Sequence, residues 1–129
     1  MEILQLTSLL FFTVTIHAFY ARNIVYYNLS LLITILSILT HGTVIEDKKF
    51  IKKIYKIDEI VSHFTFLYVL LVDSPKVARR QPLVIIILLL ILTIRNIEYR
   101  CPEHYILLHS LLHLVCMFSL HIHLYYLKV

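Results

Sequence analysis

Residues 104–127 read HYILLHSLLHLVCMFSLHIHLYYL, twenty-four residues without one Asp, Glu, Lys or Arg, closed by Lys128. At about 1.5 Å rise per residue this is a helix of about 36 Å, enough to cross the ~30 Å hydrocarbon core of a bilayer. Yet five of the chain's eight histidines lie inside it. Ionisable groups are expensive in lipid, so their presence in so apolar a run marks a candidate functional site.

Working outward, runs of the same kind recur along the whole chain. The expected spans are residues 3–21, 23–42, 57–73, 81–95 and 104–127. Composition agrees: 60% of the 129 residues are hydrophobic and only 16% charged, against about 45–50% and 25% in soluble domains. The two cysteines, Cys101 and Cys116, have no CxxC spacing, so neither a disulfide framework nor a thiolate metal site follows. The expected class is all-α, a polytopic transmembrane helix bundle of about five helices in a single membrane domain, residues 1–129. Met1–Tyr20 lacks a basic start and a small-residue cleavage site, so it reads as a retained helix. The fourth span is short, with 14 uncharged residues from Gln81 to Ile94; a re-entrant segment is the competing reading there.

The net charge is +4, and the basic residues bunch between spans, at Lys48–Lys56 and Lys76–Arg80. Loops facing anionic lipid have this pattern, and nucleic-acid binding is not expected. Counting five spans puts the end of the second and the starts of the third and fifth on one side. That side carries more Lys and Arg, which makes it the cytosolic one by the positive-inside bias. Asp73-Ser74-Pro75 closes the third span in this reading.

The same count brings polar residues of three helices to one depth. His109 and His113, at i and i+4, share a helix face and can hold one metal ion. Ser37 and His41 repeat that spacing at the end of the second span. A third imidazole completes a three-histidine zinc site with an open position, the catalytic form of the metal. Asp58 opens the third span, where it would orient water or act as general base. Glu59 points about 100° away, toward the basic loop. His63 reads as a packing or interhelical hydrogen-bonding residue, and His104 as a wet residue at the mouth. His17, His121 and His123 fall at the opposite end, in reach of one another. Each residue alone also has a plain reading: Ser37 bonded to its own helix, Asp58 merely interfacial, the histidines tying helices together.

Taken in order, Ser37-x-x-x-His41, Asp58 and His109-Ser-Leu-Leu-His113 resemble the CREST superfamily of membrane hydrolases, which includes alkaline ceramidases, progestin and adiponectin receptors and myomaker-like proteins. Ile57-Asp58-Glu59-Ile60 resembles the ceramidase LDEL segment. The resemblance covers the second, third and last spans. It implies Zn2+ held by His41, His109 and His113, with Ser37 and Asp58 catalytic, in a hydrolase of a membrane lipid, ceramide-like amides first. The alternative it implies is a non-catalytic member whose metal staples the bundle in remodelling or sensing. The family has seven helices where five are counted here. Losing two between Asp58 and His109 keeps the site on one side but thins its wall, which a second copy of the chain would complete as a homo-oligomer. Leu112 stands where the family's last motif has Trp.

Overall fold

The structure, a computed structural model, describes residues 2–42 and 46–128. Among these residues every regular element is helical. Helices α1 (Glu2–Tyr20) and α2 (Ile24–His41) form a hairpin. Helix α3 (Lys48–Tyr68) passes through one wide π turn, Val69–Asp73, into α4 (Ser74–Ala78). Helix α5 (Leu83–Arg100) and helix α6 (Tyr105–Lys128) follow, joined by a 3-10 turn at Pro102–His104. The chain folds as an all-α helical bundle.

The local signals are plain. Asn23 caps α2, its side-chain oxygen accepting the Tyr26 N–H at 3.1 Å, as an N-cap does. Gly42 ends α2: a Cβ there would stand 2.6 Å from the Ile38 carbonyl oxygen. The chain's one glycine thus fixes where His41 stops. Asp47 caps α3 by accepting from the N–H groups of Lys49 and Phe50. The lysine run Lys48–Lys56 is therefore the first turns of α3 and not a loop, a correction to the sequence reading.

A second correction concerns Asp73-Ser74-Pro75, which does not close the third span. The helix loosens by one residue, so that the Ser74 N–H reaches the Val69 carbonyl, and Pro75 falls at the start of α4. Proline is tolerated in a first turn because its missing N–H has no partner to lose. The rod from Lys48 to Ala78 is continuous over 31 residues.

The expected fourth span also changes length. Helix α5 runs on through Arg95 to Arg100. At its start, Gln81 donates to the Tyr126 hydroxyl near the end of α6, 3.1 Å away. At its other end Glu98 meets His109 near the start of α6. It traverses the bundle and does not turn back.

Among the described residues four elements are long and apolar enough to cross a membrane: Ile3–Tyr20, Ile24–His41, Lys48–Ala78 and Pro102–Lys128. Helix α5 has the length, but its last turns carry Arg95, Glu98 and Arg100. The packing is inverted relative to a soluble domain. Thr7, Ser8, Thr15, Ser30, Thr34 and Ser37 are buried, while Leu6, Phe12, Phe19, Leu71, Ile86 and Leu107 stand outside. Such a surface is stable against lipid tails and not against water. The chain is a membrane protein.

On α1 the buried positions Leu4, Thr7, Ser8, Phe11, Val14, Thr15 and Ala18 recur every three or four residues. Small side chains among them let backbones approach closely, as at membrane helix interfaces. Helix α1 accordingly packs between α2 and α6. Around the bundle the order is α3, α2, α1, α6, α5. The two outermost rods, α3 and α5, scarcely pack on each other and leave a cleft between them.

Candidate metal centre

His41 is the last residue of α2, and His109 and His113 lie one turn apart near the start of α6. One ligand nitrogen from each lies within 4.8 Å of the other two. The ring centroids are 4.5 Å apart for His109 and His113, and 5.2 and 5.7 Å from His41 to each. The structure thus brings together three imidazoles from two helices, as the span count expected.

Two of the rings are held through Nδ1. Glu98, on α5, can only accept when ionised, so His109 Nδ1–H donates to its Oε1 at 3.0 Å. Thr7 Oγ1 lies 3.0 Å from His113 Nδ1 and 3.1 Å from the Leu4 carbonyl. With Nδ1 engaged on both rings, Nε2 is the nitrogen left for a metal. On His41 it is Nε2 that is buried without any hydrogen-bond partner. Ligating histidines are held in this way, through the other ring nitrogen, by a carboxylate or another acceptor.

Glu98 Oε2 is also buried without a donor among the described residues, and two more polar side chains line the adjoining cavity. Asp58 is buried, and its Oδ1 has no donor among the described residues. Ser37 is 1% exposed and lies 2.7 Å from Ser8 Oγ. Ser8 Oγ also lies 2.6 Å from the Leu4 carbonyl. Ser37 thus pairs with a hydroxyl of α1, which holds its side chain at the cavity wall. Buried acceptors without donors cost roughly 1–3 kcal/mol each. A cation and its water are the chemistry that would satisfy this set.

Charge points the same way. Arg95 reaches Glu98 at 3.1 Å and Glu59 at 3.3 Å, and its guanidinium lies 4.6 Å over the Tyr99 ring. Counted as ionised, Asp58, Glu59 and Glu98 outnumber Arg95 by two negative charges. With neutral imidazoles, a divalent cation balances the group. The residues present therefore fit a zinc ion.

A cavity of about 200 Å3 lies beside the site. Ser37, Asp58, His109 and His113 line it together with apolar Phe66, Leu88, Ile91, Leu112 and Leu120 and polar Ser62, Thr65 and Ser119, in the cleft between α3, α5 and α6.

Several expected roles change. Glu59 meets Arg95 of α5 and not the lysine segment. His63 donates from Nδ1 to the Glu59 carbonyl of its own helix at 2.6 Å, so it makes no interhelical bond. His17 and His121 do meet, Nδ1 to Nδ1 at 2.8 Å, but His123 stands apart, with Nδ1 on the Ser119 carbonyl and Nε2 on Ser74 Oγ. His104 is exposed, and both cysteines are free. Sequence reasoning missed Thr7, Ser8, Arg95 and Glu98. The one available signal was Arg95-x-x-Glu98, a charged i, i+3 pair, which was taken as a span boundary.

No family model, curated protein or solved structure matches the chain.

Proposed function

We propose that this multi-pass membrane protein is a zinc-dependent hydrolase of a lipid, acting on an amide, with His41, His109 and His113 as metal ligands. The observation that carries the reading is the cluster of His41, His109 and His113 beside a mostly apolar cavity, with His41 Nε2 and cavity-lining Asp58 Oδ1 both buried without a partner among the described residues. Bound in an open three-histidine site, zinc supplies a Lewis acid that activates water near neutral pH. The protein does the rest. Asp58 Oδ1 accepts the proton of the attacking water, and Ser37 holds that water from the side. Glu98 and Thr7 keep the two α6 imidazoles in the tautomer that leaves Nε2 free. The apolar walls of the cleft take the acyl chain and exclude bulk water. The excess of basic residues at this end supports a cytosolic orientation for it.

The test is a zinc count and a turnover assay on the detergent-purified chain. About one zinc per chain is expected, lost in His41→Ala, His109→Ala and His113→Ala. Asp58→Ala should keep the zinc and lose hydrolysis of a long-chain N-acyl lipid. Zinc absent from the wild type, or retained in all three histidine variants, overturns the metal assignment.

A second reading has its own support. The outer nitrogens of His109 and His113 are bonded to α5 and α1, so a metal would tie four helices together without catalysis. In that case zinc removal lowers the melting temperature and no lipid is turned over.

A further inference from the structure

Ser62 differs from every other hydroxyl-bearing residue of the bundle. Among the described residues each remaining serine and threonine takes part in a hydrogen bond, most of them with a carbonyl of their own helix, as is usual inside membrane helices. Ser62 has no such partner there, and its side chain is exposed to the cavity that it lines. At about 100° per residue, Asp58 and Thr65 fall about 40° and 60° to one side of Ser62, and Phe66 and Glu59 about 40° and 60° to the other. All four also line the cavity, so Ser62 stands at the middle of the face that α3 turns toward it. His63 lies about 100° round, at the rim.

Its level in the cleft is apolar. Glu59 reaches Arg95 across the cleft at 3.3 Å, which puts those two residues at one depth. Helices α3 and α5 run in opposite directions, so Ser62, three residues after Glu59, and Leu92, three residues before Arg95, both lie about 4.5 Å deeper. Leu92 and Phe66 line the cavity there with Leu112 of α6. A plain hydrocarbon chain filling this space would strip water from the Ser62 hydroxyl and give it nothing in return, a cost that a chain carrying its own oxygen avoids.

We propose that Ser62 is the hydrogen-bonding contact for an oxygen carried by the acyl chain, and that the lipid admitted is an amide of a hydroxylated fatty acid. In the proposed chemistry the scissile carbonyl sits beside Asp58, and Ser62 is four residues, about 6 Å, further along the helix axis. An extended chain with bonds of about 1.5 Å at about 111° advances ~1.25 Å per carbon, which places the oxygen near the fifth carbon. This deepens the proposed function by naming the acyl class. It rests on the cleft being the acyl site and does not depend on which group activates water.

The test measures equilibrium binding to the full chain in phosphatidylcholine nanodiscs. The probes are radiolabelled dodecanoyl ethanolamide analogues in which a methylene replaces the amide nitrogen, so that none is hydrolysed. The 5-hydroxy and 11-hydroxy isomers are compared, because they share one polarity and partition equally into the bilayer. The 5-hydroxy isomer should bind about tenfold more tightly, the upper range of a neutral hydrogen bond. Ser62→Ala should bring the two isomers within about twofold of each other, and Ser62→Thr should keep most of the preference. Zinc content reads out the metal site separately in every variant. Equal binding of the isomers by the wild type overturns the inference, as does a preference that survives Ser62→Ala. If the unsubstituted analogue still binds in either case, the hydrolase reading stands and the oxygen contact alone fails. If no analogue binds, the cleft is not the acyl site and both fail.

Discussion

Replacing Glu98 by Gln should weaken zinc binding more than any other change that spares the three ligands. Glu98 Oε1 accepts from His109 Nδ1 at 3.0 Å and from Arg95 at 3.1 Å. Its side chain is only 4% exposed, so neither bond is screened by solvent. Gln keeps a carbonyl for one of the two donors but loses the charge, and its amide hydrogens then face Arg95. The imidazole becomes less basic, and its orientation is no longer enforced. Carboxylate partners of metal-bound histidines contribute about 10–100-fold to affinity, and the loss of Arg95's buried counter-ion places this case near 100-fold. Thr7→Val is the internal control. It removes a neutral hydrogen-bond partner from His113, and neutral hydrogen bonds contribute about 0.5–1.5 kcal/mol, or roughly 2–13-fold. Competition against a chelator of known zinc affinity, on detergent-purified protein, measures both. If Glu98→Gln binds zinc within twofold of wild type, or if Thr7→Val costs more, then Glu98 does not position His109 as argued.

Further expectations follow from the same contacts. Asp58→Asn should leave zinc affinity within about threefold while abolishing lipid turnover, because Asp58 is not among the ligands; equal loss of both would make it one. Glu59→Gln removes the tie between α3 and α5, but Glu59 is 39% exposed, so the pair is worth at most about 1 kcal/mol. The melting temperature should barely move, whereas spin labels at Ser62 and Leu92 should report a broader α3–α5 distance; an unchanged distribution would show that the cleft is held otherwise. Ser74→Ala leaves fully buried His123 without its partner at Nε2, at a cost of about 1–3 kcal/mol. That should appear as a lower melting temperature with zinc content unchanged. Leu92→Trp should fill part of the cavity and reduce labelling by a photoreactive acyl lipid without altering zinc content.

The helices were legible because each is an uncharged run long enough to be unambiguous. Their ends were less so, because charge was read as the membrane boundary. Lys48–Lys56 and Arg95–Arg100 remain helical past that boundary, since backbone hydrogen bonding continues wherever a cap such as Asp47 permits it. Span parity was enough to bring His41 beside His109 and His113. It said nothing about which residues surround them, because parity fixes depth and not rotation about a helix axis. Thr7 and Ser8 look like ordinary hydroxyls of a membrane helix, and only the rotation of α1 turns them toward His113 and Ser37. Glu98 sits eleven residues before its partner across a turn, where no periodicity links them. Asp73-Ser74-Pro75 looked like a stop because the π turn that accommodates proline has no sequence signature of its own.

Helix α1 explains how so few helices can hold a polar centre. Thr7 and Ser8, adjacent on α1, both lie against the Leu4 carbonyl. Their hydroxyls also pair with His113 on α6 and Ser37 on α2. Two neighbouring residues of one helix thus anchor two of the groups at the candidate metal centre. Gln5, on the same helix, donates to the carbonyl of His41 at 3.1 Å and so holds the third imidazole's backbone in place. Glu98 of α5 fixes His109 from the other side, and α5 packs along α6 while scarcely touching α3. The opening therefore lies between α5 and α3, away from the contacts that hold the histidines, so a chain admitted from the bilayer need not disturb the groups that orient the three imidazoles.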